Sequence, residues 1–252
     1  QWNYNGSTSD WQDIELSYLN IHHNNYYGLY TDHNCEVNIV YDNLNVHDND
    51  YGLQFQGGHT NPSALSVTNS TIQDNTYEEI YIGNVNFSGT QFDFHVNNNT
   101  ITDDDSYSLI YLYSYGSGVP VDFRLNDWGA TVTAEMNSGT NPQDISVFYD
   151  WYEDDRYARV NYAGYVGATG TSGYTADLAF LDENGQSMES VPAYSNSLSL
   201  EVFDTGLAGN GTVDVTVTSI SDSSGETVTL SESSSGQFLG SVDLNHGTFR
   251  II

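Results

Sequence analysis

Four side chains able to hold a cation or move a proton recur along the first half of the chain: His23, Asp48, Asp74 and Asp103, at intervals of 25, 26 and 29 residues. A second set runs beside them: Asn24, Asn49, Asn75 and Asp104. Such spacing has chemical meaning only if the chain coils with that period, because equivalent residues of successive coils then stand ~4.8 Å apart, like neighbouring strands. Amides stacked at that distance bond to one another, so the asparagine column is expected to be structural. Carboxylates at that distance repel. The chain has no lysine to neutralise them, so they either splay into water or hold a hard cation through oxygen, with calcium the expected ion. The candidate calcium ligands are therefore Asp48, Asp74, Asp103 and Asp104. A second candidate set lies later in the chain, at Asp204, Asn210 and Asp214, with Glu232 nearby.

Tyrosines give another pattern. Tyr30, Gln54, Tyr81 and Tyr111, with Tyr113, each stand next to apolar residues of short alternating segments such as Gly28-Leu29-Tyr30 and Ile80-Tyr81-Ile82. Neighbours along a strand face opposite ways, so these side chains are expected to point outward while Leu29 and Ile80 point in. A stack of exposed tyrosines would offer a sugar-binding strip, apolar with hydroxyl rims. Catalysis has fewer candidates. Abstracting a proton from a polyuronate needs a cation and a base, yet Arg124 is the one arginine on a coil strand. Asp103-Asp104-Asp105 reads as a solvated corner rather than the separated carboxyl pair of a glycosidase. His22, His23 and His47 lack a completing cysteine or glutamate, and Cys35 lacks a His-Asp partner, so surface imidazoles and a small buried thiol are expected. No helix follows Gly57-Gly58-His59, which reads as a turn.

Charge narrows the partners. The 252 residues carry 34 acidic groups against 4 arginines, a formal charge of -30. That surface repels phosphate and excludes nucleic acid as a partner. No segment approaches the ~20 apolar residues of a membrane span, so membrane insertion is not expected. The single cysteine excludes an internal disulfide framework. Twenty tyrosines and ten phenylalanines demand burial, so the acid excess marks a folded protein in screening, cation-rich surroundings, and an extracellular or cell-surface location is expected. The opening Gln1-Trp2-Asn3-Tyr4 shows no leader, and the chain is expected to be a processed product or a piece of something longer.

The elements that must position these residues repeat. The segments Ile21-His22-His23-Asn24, Val46-His47-Asp48-Asn49, Ile72-Gln73-Asp74-Asn75 and Ile101-Thr102-Asp103-Asp104 are each followed by a tyrosine (Tyr27, Tyr51, Tyr77, Tyr107) and a short apolar strand. Another alternating strand precedes each, as in Ile14-Glu15-Leu16. A period near 25 residues without helical periodicity describes a coil of three strands and three turns. The pattern resembles the right-handed parallel β-helix of the pectate-lyase-like superfamily, in the degenerate repeats of secreted bacterial proteins. The close of the array strengthens the resemblance, with Asn126-Asp127-Trp128-Gly129 followed by Ile145, Phe148, Tyr149 and Tyr152 at helical spacing. A capping helix over the last coil is expected there. About five coils fit residues 10–130, against the roughly doubled length the resemblance implies for catalytic members. Upstream coils or a partner chain are expected over Trp2, Tyr4 and Trp11.

Composition changes near residue 168: eighteen of the twenty tyrosines precede it, and Gly167 to Gly173 reads as a linker. Beyond it, alternating segments such as Leu198–Asp204 and Val213–Val217 predict an antiparallel sandwich. Ser224 to Ser241 resembles the immunoglobulin-like spacer modules of bacterial exoproteins. The expected fold class is all-β: a parallel β-helix over 1–168 and an immunoglobulin-like β-sandwich over 171–252. The expected function is a non-catalytic, calcium-stabilised module of a larger secreted or cell-surface bacterial protein, serving adhesion or glycan binding. A fragment of a polysaccharide lyase or glycoside hydrolase is the first rival, and a self-associating stalk or filament subunit the second.

Overall fold

The computed structural model describes residues 14–32, 38–57, 63–87, 92–103, 107–116, 118–169, 176–181, 187–188, 197–218, 223–234 and 236–244. The chain forms two compact units, Gln1–Tyr174 and Thr175–Ile252. Trp2, Tyr4, Trp11, Cys35, His59 and Asp104 lie outside the described residues.

The first unit is a parallel β-solenoid. Its first coil holds β1 (Ile14–Ser17), β2 (Asn20–His22) and β3 (Tyr27–Asp32), and its second holds β4 (Ile39–Asp42), β5 (Asn45–His47) and β6 (Tyr51–Gln56). The third holds β7 (Ser63–Thr68), β8 (Thr71–Gln73) and β9 (Glu78–Asn86), and the fourth β10 (Phe92–Asn97), β11 (Thr100–Thr102) and β12 (Ser108–Tyr115). Like strands pair in parallel from coil to coil. One sheet runs β1-β4-β7-β10, continued by β13 (Pro120–Asp122) and β15 (Arg159–Asn161). A second runs β2-β5-β8-β11, and a third β3-β6-β9-β12-β14, where β14 is Phe148–Tyr149. The inward residues fill the tube: Val46, Leu53, Leu65, Val67, Ile72, Ile80, Ile82 and Ile101 are fully buried. Branched aliphatic side chains suit this layered interior, since each stacks on its counterpart one coil away.

The array ends differently from expectation. The segment after β13 makes a single bridge, Asp127 to Thr100, and then enters helix α1 (Gly129–Met136), which lies against β11. The helix expected over Ile145–Tyr152 is absent: Phe148 and Tyr149 pair as β14 with Ile110 and Tyr111. The helical spacing of those four residues is overridden because the third sheet offers an open edge for backbone pairing. Among the described residues, four coils have all three strands, where about five were anticipated.

Backbone geometry explains the acidic column. Coils turn between the first and second sheets at Tyr18, Asn43, Asn69, Asn98 and Leu125, with φ of 57, 53, 51, 59 and 64°. They turn between the second and third sheets at His23, Asp48 and Asp74, with φ of 58, 55 and 57°. A left-handed residue at a tight corner favours Asn, Asp and, more weakly, His, whose short polar side chains tolerate it. The Asp and Asn recurrence is thus first of all a turn requirement.

In the second unit the described strands are β16 (Ala176–Leu181), β17 (Ser187–Met188), β18 (Ser197–Asp204), β19 (Thr212–Val217), β20 (Glu226–Ser234) and β21 (Gln237–Asp243). They lie in one antiparallel sheet, ordered β17-β16-β18-β21-β20-β19, rather than in two facing sheets. Leu198, Leu200, Val228, Leu230, Phe238 and Val242 pack together on its concave side. The alternation located the strands, but alternation alone does not say whether strands join one curved sheet or split into two.

Candidate binding face

The third sheet of the solenoid carries the tyrosines outward. Register aligns Tyr30, Gln54, Tyr81, Tyr111 and Tyr149 across the five strands. Tyr81 stacks on Tyr111 with centroids 5.3 Å apart and 12° between planes, and Tyr111 on Tyr149 at 4.4 Å and 3°. Rings stacked this way cover one another's faces, so the column shows solvent mainly edges and hydroxyls. The expected strip of open ring faces is replaced by a comb of phenols. Tyr113 stands beside it, opposite Gly83. A Cβ at Gly83 would lie 2.6 Å from Cε1 of Tyr81, so glycine there is what lets the ring lie down along its strand.

A second cluster precedes the comb. Tyr27 contacts Tyr26, Tyr30 and Tyr51 at 4.0, 5.1 and 5.5 Å, and Tyr51 stacks on Tyr77 at 4.9 Å. Burial raises the phenol pKa values, to about 12 for Tyr27 and Tyr111 and upward for Tyr81, so the face is uncharged phenol at neutral pH. Between the clusters, Glu78 occupies the column Tyr27, Tyr51, Glu78, Ser108 implied by strand alignment, where Tyr51 pairs with Tyr27 and Glu78 with Ser108. Glu78 is 8% exposed, and among the described residues its Oε2 has no hydrogen-bond partner. Burial raises its pKa.

The candidate calcium ligands do not converge. Asp48 is bound by His47 Nδ1 at 2.7 Å, and Asp74 accepts from Gln73 Nε2 at 2.9 Å. Asp103 hydrogen-bonds the carboxyl of Glu79. In the second unit, Asp204 accepts from Gly206 N at 2.8 Å, capping a single helical turn, Thr205–Leu207. Asp214 accepts from Thr229 Oγ1 at 2.6 Å, while Asn210 N bonds Leu207 O in the following loop. Glu232 organises that loop, accepting from the N–H groups of Gly209, Gly211 and Gly236, which lower its pKa. Among the described residues, no three His, Cys, Asp or Glu side chains gather at metal-binding distance. His22 and His47 stack at 5.1 Å on the outer face of the second sheet, as surface imidazoles.

The asparagine column is a ladder. Asn49 Oδ1 accepts from Asn24 N at 3.1 Å and Asn24 Nδ2 at 2.8 Å, and Asn75 Oδ1 accepts the same pair from Asn49 at 3.0 and 2.8 Å. The ladder ends on Glu79, whose oxygens take Asn75 N at 2.9 Å and Nδ2 at 2.5 Å. Glu79 is fully buried. Its pKa is pushed up to about 8, first by burial; the Asn75 bonds oppose that rise and Asp103 adds to it. At the other corner runs a second ladder absent from the sequence reading. Leu44 N donates to Ser70 Oγ at 3.0 Å, Ser70 N to Asn99 Oδ1 at 2.9 Å, and Asn99 N to Asn126 Oδ1 at 2.8 Å. The recurring Asn69-Ser70, Asn98-Asn99 and Leu125-Asn126 carried that signal.

Asp122 on the first sheet was also missed. It accepts from Arg124 Nε at 2.8 Å and Asn97 Nδ2 at 3.0 Å, with His95 Nδ1 at 2.7 Å. Burial works against its charge, but His95 and Arg124 outweigh it and hold the carboxyl well below the usual range. Comparison with family models, curated proteins and solved structures gives no match. Among the described residues no helix is long and apolar enough to cross a membrane.

Proposed function

We propose that this chain is a non-catalytic adhesion module of a larger secreted or cell-surface protein, making contact through the tyrosine face of the solenoid. One observation carries the reading: tyrosines sit in register on one outer sheet face, from Tyr30 through Tyr81 and Tyr111 to Tyr149. Side chains combining apolar bulk with a hydroxyl at low entropic cost make effective contact surfaces. The resemblance to pectate-lyase-like coils and immunoglobulin-like spacers points the same way, toward a bacterial exoprotein. A glycan would be held by hydrogen bonds from the phenol comb rather than by stacking on ring faces.

The carboxyls give little support to the hydrolase alternative. Glu79 and Asp103 are in direct hydrogen bond and Glu79 is sealed from solvent, whereas hydrolysis needs two carboxyls about 5–9.5 Å apart with the sugar between them. The reading does not depend on calcium: Asp48, Asp74, Asp204 and Asp214 each already accept or share a hydrogen bond with a neighbour.

The test is binding to a glycan panel by wild type and by the double variant Tyr81→Phe/Tyr111→Phe, which keeps the stack and deletes two hydroxyls. A tenfold or greater loss for a bound glycan is expected. Unchanged binding by the double variant and by Tyr30→Ala would remove the glycan reading of this face.

A further inference from the structure

We infer that the tyrosine face binds arginine side chains of a basic partner polypeptide, with Glu78 as the counter-charge; this rests on the adhesive reading of the same face and names its partner. Glu78 interrupts a tyrosine column, is more than nine-tenths buried, and leaves Oε2 without a donor. A carboxylate in that state lacks a hydrogen bond, and an incoming N–H donor would gain more there than at an exposed acid.

The molecule already shows how this face treats a guanidinium. Arg156 places its guanidinium 5.8 Å from the centroid of the Tyr157 ring, while its Nε and Nη2 reach Asp154 at 2.8 and 2.5 Å. Tyr157 belongs to the same aromatic face, 5.1 Å from Tyr113 and 6.2 Å from Tyr149. One planar cation, one carboxylate and one tyrosine thus form a working unit at the end of the comb. Glu78 beside Tyr51 repeats the acid and the ring without the cation. Guanidinium suits both parts, since its fork matches a carboxylate and its plane stacks on aromatic rings.

Among the described residues, no cation bonds to Oε2 of Glu78. The chain has no lysine and four arginines. Of the three described arginines, Arg124 is bound to Asp122 and Arg156 to Asp154, and Arg159 lies on β15 in another sheet; Arg250 lies outside the described residues. The formal charge of -30 attracts basic chains over a long range and rejects acidic ones.

The experiment is calorimetric titration of the whole chain with acetylated hexa-arginine, and with hexa-citrulline as its uncharged counterpart, at about 150 mM salt, where diffuse attraction is screened beyond about 8 Å. Expected are binding of the arginine peptide alone, at least tenfold weakening in Glu78→Gln, and less than twofold change in Asp214→Asn, which removes one charge from the other unit. Transferred nuclear Overhauser contacts between arginine side-chain protons and tyrosine ring protons are expected in the unmodified protein, whatever the folding of the variant. Equal losses in the two variants, or no arginine–tyrosine contact, would overturn the inference. Loss of a bound glycan in Tyr81→Phe/Tyr111→Phe alongside arginine-peptide binding that Glu78→Gln leaves unchanged would overturn the arginine assignment and leave the adhesive face standing. Indifference of every ligand to the tyrosines would overturn both.

Discussion

The two ladder-bearing corners of the solenoid solve one problem with two chemistries. At each, a buried backbone N–H leaves its own coil and needs an acceptor, and a side chain from the next coil supplies it. Between the first and second sheets the ladder ends on an amide: Asn126 is fully buried, accepts from Asn99, and donates to Val96 O and Phe123 O at 2.7 Å each. Between the second and third sheets it ends on an acid, Glu79. In the coils before it the equivalent positions are Gly28 and Gly52, where a Cβ would stand 2.9 and 3.0 Å from Nδ2 of Asn49 and Asn75. Glycine there makes room for the asparagine of the next coil, whereas Glu79 itself reaches back to Asn75. Similar geometry therefore yields one ladder that ends on a neutral amide and another that ends on a titrating acid.

The largest expected effect follows from that contrast. Glu79 has a folded pKa of about 8 against a reference of 4.5. The folded state then binds the proton more tightly than the unfolded chain, so this group's contribution is fully present below the reference value and is lost as pH rises to about 8. The shift corresponds to roughly 5 kcal/mol at 1.36 kcal/mol per unit. Urea unfolding between pH 5 and 8 should show falling stability in the wild type and a much shallower slope in Glu79→Gln, whose amide can still accept from Asn75 and donate to Asp103. Parallel slopes in the two proteins would break the comparison.

Next comes Asn126→Ala, which deprives buried N–H and C=O groups of their partners and should cost about 3 kcal/mol by the same measurement, with no change in pH slope. A cost under about 1 kcal/mol would mean the amide end of the ladder is dispensable. Asn49→Ala, in the middle of the other ladder, should cost about 2 kcal/mol, because its backbone N–H can still reach Asn75. The smallest effect belongs to the corner itself. Asp48→Asn should change stability by less than about 0.5 kcal/mol, while Asp48→Ala should cost about 1 kcal/mol for the left-handed backbone. Melting temperatures with calcium and with chelator should coincide in wild type and Asp48→Asn alike; a calcium-dependent rise lost in Asp48→Asn would restore the ion to the corner.

Recurrence at 25 to 29 residues placed the strands and stacked Asn24, Asn49 and Asn75 correctly, because a repeat exists to bring equivalent positions together. The same recurrence did not by itself tell a solvated corner from a metal site at Asp48 and Asp74. An acid at a left-handed corner and an acid at a metal site look alike in one dimension, and φ separates them. Ile145, Phe148, Tyr149 and Tyr152 failed for a related reason: helical spacing is a local property, while the open edge beside β12 is not.

The sequence by itself determined the coil period, the alternation of inward aliphatic and outward polar or tyrosine residues, and the change of character near residue 168, since each follows from local side-chain chemistry repeated along the chain. Only the tertiary structure decided which carboxyl is buried, which is paired and which lacks a donor. Glu78 and Glu79 are adjacent acids in the chain, yet one lies among tyrosines with an orphan oxygen and the other closes an amide ladder inside the coil. Burial and hydrogen bonding depend on what neighbouring coils bring to a point in space, and no one-dimensional pattern carries that.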